Sequence, residues 1–273
     1  MSKATQSKSK GKRAEGAPET AAEPAAPVQL PKLAVQMYTL RTLQRPTAEL
    51  LTALAEIGYQ GVELAGVANM SAADLRSLLD RNGLRAVSAH VSLDMLEADL
   101  PAVVRFHKTL GNDVLVVPWL PEVLRGADAA SWRALGERLA RLARRCAYAR
   151  MKLMYHNHDF EMVIIDGRPA IDWLMEAAGP EVGFEIDLAW VLAGGQDPAA
   201  MLRQYAGRVS RVHAKDWSQG QHDIMDVGAG DVNWDDVLAA ANEAGVAWLI
   251  VEHDRPVDPL ASVGSSYAFL KAK

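Results

Sequence analysis

From residue 33 onward, short apolar runs alternate with stretches in which apolar residues recur every three or four positions. The runs are Leu33–Thr39, Gly61–Ala65, Arg85–Val91, Asp113–Trp119, Lys152–His158, Val182–Trp190, Val209–Asp216 and Trp248–Asp254. Most are rich in Val, Ile or Leu without strict polar alternation, which is how parallel strands covered on both faces read. Between them the spacing predicts helices. Leu50, Leu51, Leu54 and Ile57 share a face, with Gly58 as a stop. Ser71 and Asp74 form a capping box ahead of Leu75, Leu78 and Leu79, and Gly83 follows. Ser131 precedes a long stripe from Trp132 to Cys146. Asn233 caps Trp234, Val237, Leu238 and Ala241, with Asp235 and Asp236 at the positive end of the helix dipole.

Eight such strands and about eight helices in alternation predict an α/β fold, a (β/α)8 TIM barrel. A doubly wound open sheet would need a phosphate-cradling glycine loop after an early strand. Gly194-Gly195 and Gly228-Ala229-Gly230 are isolated and join no strand to a helix in that way.

Residues 1–30 are Ala, Pro, Glu, Lys and Ser with almost no large apolar side chains, so a disordered tail is expected there and a single barrel domain over 31–273. Of 29 Lys/Arg and 34 Asp/Glu in the chain, the tail holds five bases and three acids, leaving the body 24 against 31. A body this acidic argues against a phosphate-backbone binder and for no nucleic-acid partner. The single Cys146 excludes an intramolecular disulfide framework or thiolate cluster and continues an apolar stripe as a small core residue. The chain lacks an apolar run of spanning length and a signal core, so no membrane partner and a cytoplasmic location are expected.

The chemistry collects at strand ends, where barrels of this type place their sites. Tyr155-His156-Asn157-His158-Asp159-Phe160-Glu161 crowds two histidines and two further carboxylates beyond the fifth strand. The second strand ends with Glu63, the third with His90 and the fourth with Trp119. The sixth carries Glu185 and Asp187, the seventh His213, Lys215 and Asp216, and the eighth Glu252, His253 and Asp254. Side chains alternate between the barrel interior and the helix layer. One inward residue from each of the last four strands yields His156 or His158, Asp187, His213 and Glu252. Glu185 lies one layer deeper than Asp187. This imidazole–carboxylate set suits Mn2+, Co2+, Fe2+, Zn2+ or, less well, Mg2+. His253 faces away from Glu252, His107 reads as a surface position, and His222 reaches the site from its loop.

At these residues the chain resembles the sugar phosphate isomerase/epimerase family, the xylose isomerase-like TIM barrels that include endonuclease IV and inosose dehydratase. The motifs are VQMYTLR at 35–41, YHNHDFE at 155–161, FEIDLAW at 184–190, RVHAKD at 211–216, VGAGDVNW at 227–234 and IVEHD at 250–254, and the resemblance spans about residues 33–270. It implies a divalent metal, Mn2+ first, held by Glu, Asp, His and Glu from the last four strands. Asp187, His213 and Glu252 match. His156 stands where the epimerases carry Glu, which departs from a two-carboxylate mechanism and looks more like the subgroup around inosose dehydratase and 3-keto sugars. The leading expectation is a metal-dependent isomerase or epimerase of a small sugar, keto sugar or sugar phosphate acting through an enediolate. The alternative is a lyase, dehydrating a keto-inositol or eliminating from a 3-keto glycoside. An endonuclease IV-like repair enzyme and a non-catalytic sugar-binding barrel come behind. The expected metal ligands are His156, Asp187, His213 and Glu252. Glu252, His158, Glu161 and Lys215 are expected to move protons. Glu63, His90, Trp119, Trp190 and His222 are expected to bind a small-molecule sugar, and a homo-oligomer is open.

Overall fold

The computed structural model describes Met1, residues 30–66 and residues 70–273. The tail expected at 1–30 therefore lies almost wholly outside the described residues. The barrel strands are β1 (Lys32–Gln36), β2 (Gly61–Ala65), β3 (Arg85–His90), β4 (Val114–Val117), β5 (Lys152–His156), β6 (Val182–Asp187), β7 (Arg211–Ala214) and β8 (Trp248–Val251). They close a parallel barrel in which each strand pairs with its sequence neighbours and β1 pairs with β8. This is the TIM barrel that the alternation predicts; seven strands fall within their predicted runs, and β1 begins one residue earlier, at Lys32.

Strand parity sorts the core into two layers. Leu33 and Val35, Leu115 and Val117, Leu153 and Tyr155, and Leu249 pack in the layer shared with the helices. The alternate positions Ala34, Ile250 and Trp248, and Val114, Val116 and Met154, form smaller clusters of their own. These lie inside the barrel, below the inward residues at the strand tops.

One irregularity matters for the site. Val62 pairs with Ala86, but Glu63 pairs with Ser88, so β3 carries an extra residue there. Ala86 and Ala89 both pack in the outer layer, three positions apart, while Val87 joins the inner one. Strict alternation from Ala86 would point His90 outward; the bulge reverses the parity and turns it into the barrel. Arg211 donates from Nε to the Val87 carbonyl at 2.9 Å, giving the bulged backbone the partner that the ladder does not supply.

The helices are α1 (Thr47–Ile57), α2 (Ala72–Arg81), α3 (Leu93–Thr109), α4 (Ala129–Tyr148), α5 (Ala170–Ala178), α6 (Leu188–Ala193), α7 (Pro198–Gln204), α8 (Trp234–Ala244) and α9 (Pro259–Lys271). The caps Ser71 and Asn233 form as predicted, each side chain accepting from the backbone N–H three residues on. Asp128 caps α4, accepting from the Ser131 N–H. Two helices, rather than one, link β6 to β7. Gly194 ends α6 against Met162, where an added Cβ would lie 2.4 Å from that side chain. Asp197 then starts α7 by accepting from Ala199 and Ala200 N–H at 2.8 and 3.1 Å.

His107 is not a surface residue. Leu93, Leu96, Leu100, Val103 and His107 form the buried stripe of α3. Asn112 donates to Nδ1 at 3.3 Å, and Nε2 has no partner. Cys146 is buried, as expected. Among the described residues, no helix is long and apolar enough to cross a membrane.

Candidate metal centre and cavity

Each strand end sets one part of the site. β6 stops at Asp187 because its Oδ1 accepts from the Trp190 N–H at 3.0 Å and starts α6. Its Oδ2 is left turned toward the barrel axis. Asn157 accepts from the Asp187 N–H at 3.0 Å and ties the ends of β5 and β6 together. Ligand atoms of His156, Asp187, His213 and Glu252 all lie within 4.8 Å of one another. His156 Nε2 and His213 Nδ1 stand 3.8 and 3.9 Å from Asp187 Oδ2, and His213 Nδ1 is 2.9 Å from Glu252 Oε2. Two bonds of about 2.1 Å to one ion separate ligand atoms by roughly 3.4 Å, so the spacing fits a single divalent cation with small adjustments.

Charge and hydrogen bonding support the same fit. Among the described residues, Glu63, Glu185, Asp187, Glu252 and Asp254 form their close ion pairs with His90, His213 and Lys215, so five carboxylates share three paired cations. The buried Asp187 Oδ2 accepts no well-formed hydrogen bond, although Lys215 Nζ approaches it to 3.0 Å; His156 Nδ1, on the other side of its ring from Asp187, lies 3.3 Å from Glu185 Oε2. Burial, then the neighbouring His213, hold His156 well below the usual imidazole pKa, so it is neutral as a ligand must be. Burial raises Asp187 to about 6 against the pull of Lys215 and His213.

A second tier supports the first. His213 Nε2 lies 2.6 Å from Glu63 Oε2, which also accepts from Gln36 Nε2 at 2.7 Å. His90 Nε2 sits 2.9 Å from Glu185 and 3.1 Å from Glu63, with its ring stacked on that of His213. Burial opposes charge on both histidines, but the carboxylates prevail: His90 is raised to about 9 and His213 well above its ordinary value, so His213 would give up its Nδ1 proton on binding an ion. His90, His156, Glu185 and His213 also gather ligand atoms within 4.8 Å. Gln36 and Glu185 complete this tier; only the latter's depth was legible from strand parity.

Above the quartet opens a cavity of about 810 Å³ lined by His90, His156, His158, Trp190, Lys215 and Glu252, among others. Lys215 Nζ lies 2.7 Å from Glu252, 2.9 Å from Asp254 and 3.0 Å from Asp187. Burial disfavours its charge, but these carboxylates hold the ammonium protonated well above the ordinary lysine pKa. His158 is the opposite case. Burial, then the charge of Lys215, lower it to about 3, so it is a neutral imidazole, and its Nδ1 has no partner. Trp190 Nε1 is likewise buried without an acceptor.

The structure moves three expected site residues away from the cavity. Glu161 is fully buried, accepts from the Tyr155 hydroxyl and from the His158 N–H at 2.8 Å, and points into the layer that holds Tyr155. The turn Phe160–Met162 rotates it off the inward face, so it positions His158 and touches no ligand. Glu63 lies beneath His213 and is not part of the cavity wall. His222 is exposed at the tip of the hairpin formed by Asp216–Ser218 and Asp223–Met225, with φ 52°, and the hairpin carries it off the wall. Trp119 and Trp190 do line the cavity. His253 stays outside it, its N–H donating to Thr39 at 3.1 Å.

A family model described as xylose isomerase-like TIM barrel matches residues 51–273. The rhizopine catabolism protein MocC of Rhizobium meliloti is 27% identical over 263 residues, 82% of this chain and 78% of its own length. An inosose dehydratase of Geobacillus kaustophilus is 26% identical over 201 residues, 66% of this chain and 64% of its own. The solved structure of a sugar phosphate isomerase/epimerase from Parabacteroides distasonis aligns with a TM-score of 0.75 at 24% identity, covering 93% of this chain and 98% of that one. At that identity the structural likeness shows the fold alone.

Proposed function

This chain belongs to the xylose isomerase-like TIM barrel family, and from that premise we propose that it is a divalent-metal-dependent lyase acting on a cyclic keto-polyol. It removes the proton beside the ketone and expels a hydroxyl group from the next carbon. The observation that carries this reading is that His158, with a buried Nδ1 that has no partner, and Lys215, held among Glu252, Asp254 and Asp187, both line the cavity. His158 Nδ1 accepts the carbon-bound proton, and Lys215 delivers a proton to the departing hydroxyl. His156, Asp187, His213 and Glu252 would hold the ion, Mn2+ first, which when bound supplies Lewis-acid polarisation of the ketone oxygen. Trp190 Nε1 donates to a substrate hydroxyl. The name of the inosose dehydratase relative supports dehydration over simple isomerisation.

Isomerisation or epimerisation, the leading expectation from the sequence, remains the second reading. Glu252 lines the cavity, and a single carboxylate can carry a proton between neighbouring carbons. Incubating the Mn2+-loaded protein with a keto-inositol in D2O separates the two. The lyase reading expects ultraviolet absorption from an unsaturated ketone. Deuterium uptake with no such absorption selects the isomerase, and neither signal would sink both.

A further inference from the structure

We propose that the cavity holds a subsite for a planar apolar group, an aryl substituent on the polyol ring, seated on Trp119. This rests on the keto-polyol reading above and specifies its substrate class.

Trp119 is the most exposed of the seven tryptophans, at 48%. An indole left half in water is a surface waiting for a partner when its orientation is fixed, and here it is fixed. The Arg125 guanidinium lies over its ring at 4.4 Å and over Phe160 at 3.7 Å. Phe160 and His158 meet Trp119 edge-on, with centroids 5.3 and 4.7 Å away. Trp119 also lines the cavity. The contact with His158 also sets its place relative to the chemistry. His158 adjoins His156 of the quartet at 5.1 Å between ring centroids. A group on Trp119 is therefore one ring beyond a polyol bound at the quartet.

A second rim aromatic is built the same way. Tyr38, 43% exposed, lines the cavity with the Arg41 guanidinium 3.7 Å from its ring centroid. Arg41 is itself held by bonds to the Tyr38 and Asp254 carbonyls at 2.9 and 2.6 Å. Met95, 40% exposed, lines the same cavity from the first turn of α3. Rings fixed before a ligand arrives lose little freedom on binding. The size agrees: about 810 Å³ falls within the range of roughly 300–1,000 Å³ that holds drug-sized ligands, well above the need of one six-membered ring.

The chemistry around Trp119 favours an aryl group over a second sugar. Arg125 commits its Nε to the Leu120 carbonyl at 3.0 Å and its flat face to two rings. Pro118 precedes Trp119 in the wall, and Ser92 already accepts from the Met95 N–H. Asp159, between His158 and Phe160 in the chain, is the carboxylate in this wall that a second sugar's hydroxyls would find, whereas an aryl face needs no such partner.

The test is calorimetric binding of methyl and phenyl 3-keto-β-glucopyranoside to the Mn2+-loaded protein. The phenyl compound is expected to bind about tenfold tighter or better. Trp119→Ala should shrink that ratio to about twofold or less, and Trp119→Phe, which keeps a flat ring, should retain most of it. Circular dichroism checks that the variants fold, and the Phe variant remains informative if the Ala variant does not. Equal affinities in the parent protein, an unchanged ratio in both variants, or a 3-keto cellobioside matching the phenyl compound would overturn the subsite. A keto-inositol is titrated alongside: if neither it nor the glycosides bind the metal-loaded protein, the keto-polyol reading fails and takes the subsite with it; if it binds while neither glycoside does, or if the methyl compound binds as well as the phenyl one, the subsite alone is overturned.

Discussion

Glu63 at the top of β2 reaches His213 on β7, Oε2 to Nε2 at 2.6 Å. A carboxylate in that place accepts from Nε2 and turns the other ring nitrogen, Nδ1, toward Asp187 and Glu252. Such an orienting contact governs metal affinity without touching the ion. Glu63→Gln should weaken Mn2+ binding by about 10–100-fold, measured by titration against a chromophoric chelator. Unchanged affinity would show that His213 needs no such support.

Removing a quartet member should remove the ion. In His213→Ala and Asp187→Asn, the latter keeping a side chain that can cap α6, metal content after reconstitution should fall from about one ion per chain to about one tenth or less. Elemental analysis reads this directly. Full occupancy in both variants would dismiss the quartet. In the parent protein, a chelator should abolish activity and added Mn2+ restore it.

Lys215 and His158 should separate chemistry from metal binding. Lys215→Met and His158→Gln are each expected to lower kcat by about 10²–10⁴-fold while metal content stays near that of the parent. Loss of the ion together with activity would recast Lys215 as a support for Asp187 and Glu252.

Burial at His107 makes stability depend on pH. Desolvation lowers its pKa in the folded chain to about 4, against an ordinary 6.5. Below pH 6.5 the unfolded chain takes up a proton that the folded chain refuses until about 4, so stability falls as pH drops through that window. At about 1.4 kcal/mol per unit, the loss is at most roughly 3 kcal/mol. Comparing urea unfolding of the parent and His107→Phe at pH 7 and 4.5 should show a smaller pH effect in the variant. Equal effects would place the sensitivity elsewhere.

Asp216 ties the loop after β7 together. Its carboxylate accepts from the N–H groups of Trp217, Gly228 and Val232 and from Trp234 Nε1, at 2.8–3.0 Å. Asp216→Ala leaves buried donors unpartnered and should cost roughly 3 kcal/mol or more, lowering Tm by about 6–12 °C for a domain of this size. A shift under about 2 °C would mean that water replaces the carboxylate.

The legible parts of this protein are those written in local spacing. Runs such as Val114–Val117 and Trp248–Val251 read as two-faced strands because both faces are buried. Ser71 and Asn233 read as caps because the N–H groups they satisfy lie within one turn. His107 was also within reach: the spacing Leu93, Leu96, Leu100, Val103 leads directly onto it, and its polarity alone suggested the surface. Glu161 was not legible in the same way. A single 3-10 turn decides which face follows a strand end, and alternation stops there.

The sequence by itself determined the barrel, its strand order and the imidazole and carboxylate residues at its rim, since these follow from periodicity and parity within single segments. Only the tertiary structure decided that His156 joins the clustered quartet while His158 stands beside Lys215 on the wall. It also decided that an extra residue in β3 turns His90 inward, that Glu63 belongs beneath His213, and that the hairpin carries His222 away. The physical reason is distance along the chain. These outcomes depend on closing the barrel, which brings side chains from β2, β3, β6 and β7 within hydrogen-bond reach and lets the charge of one set the protonation of another.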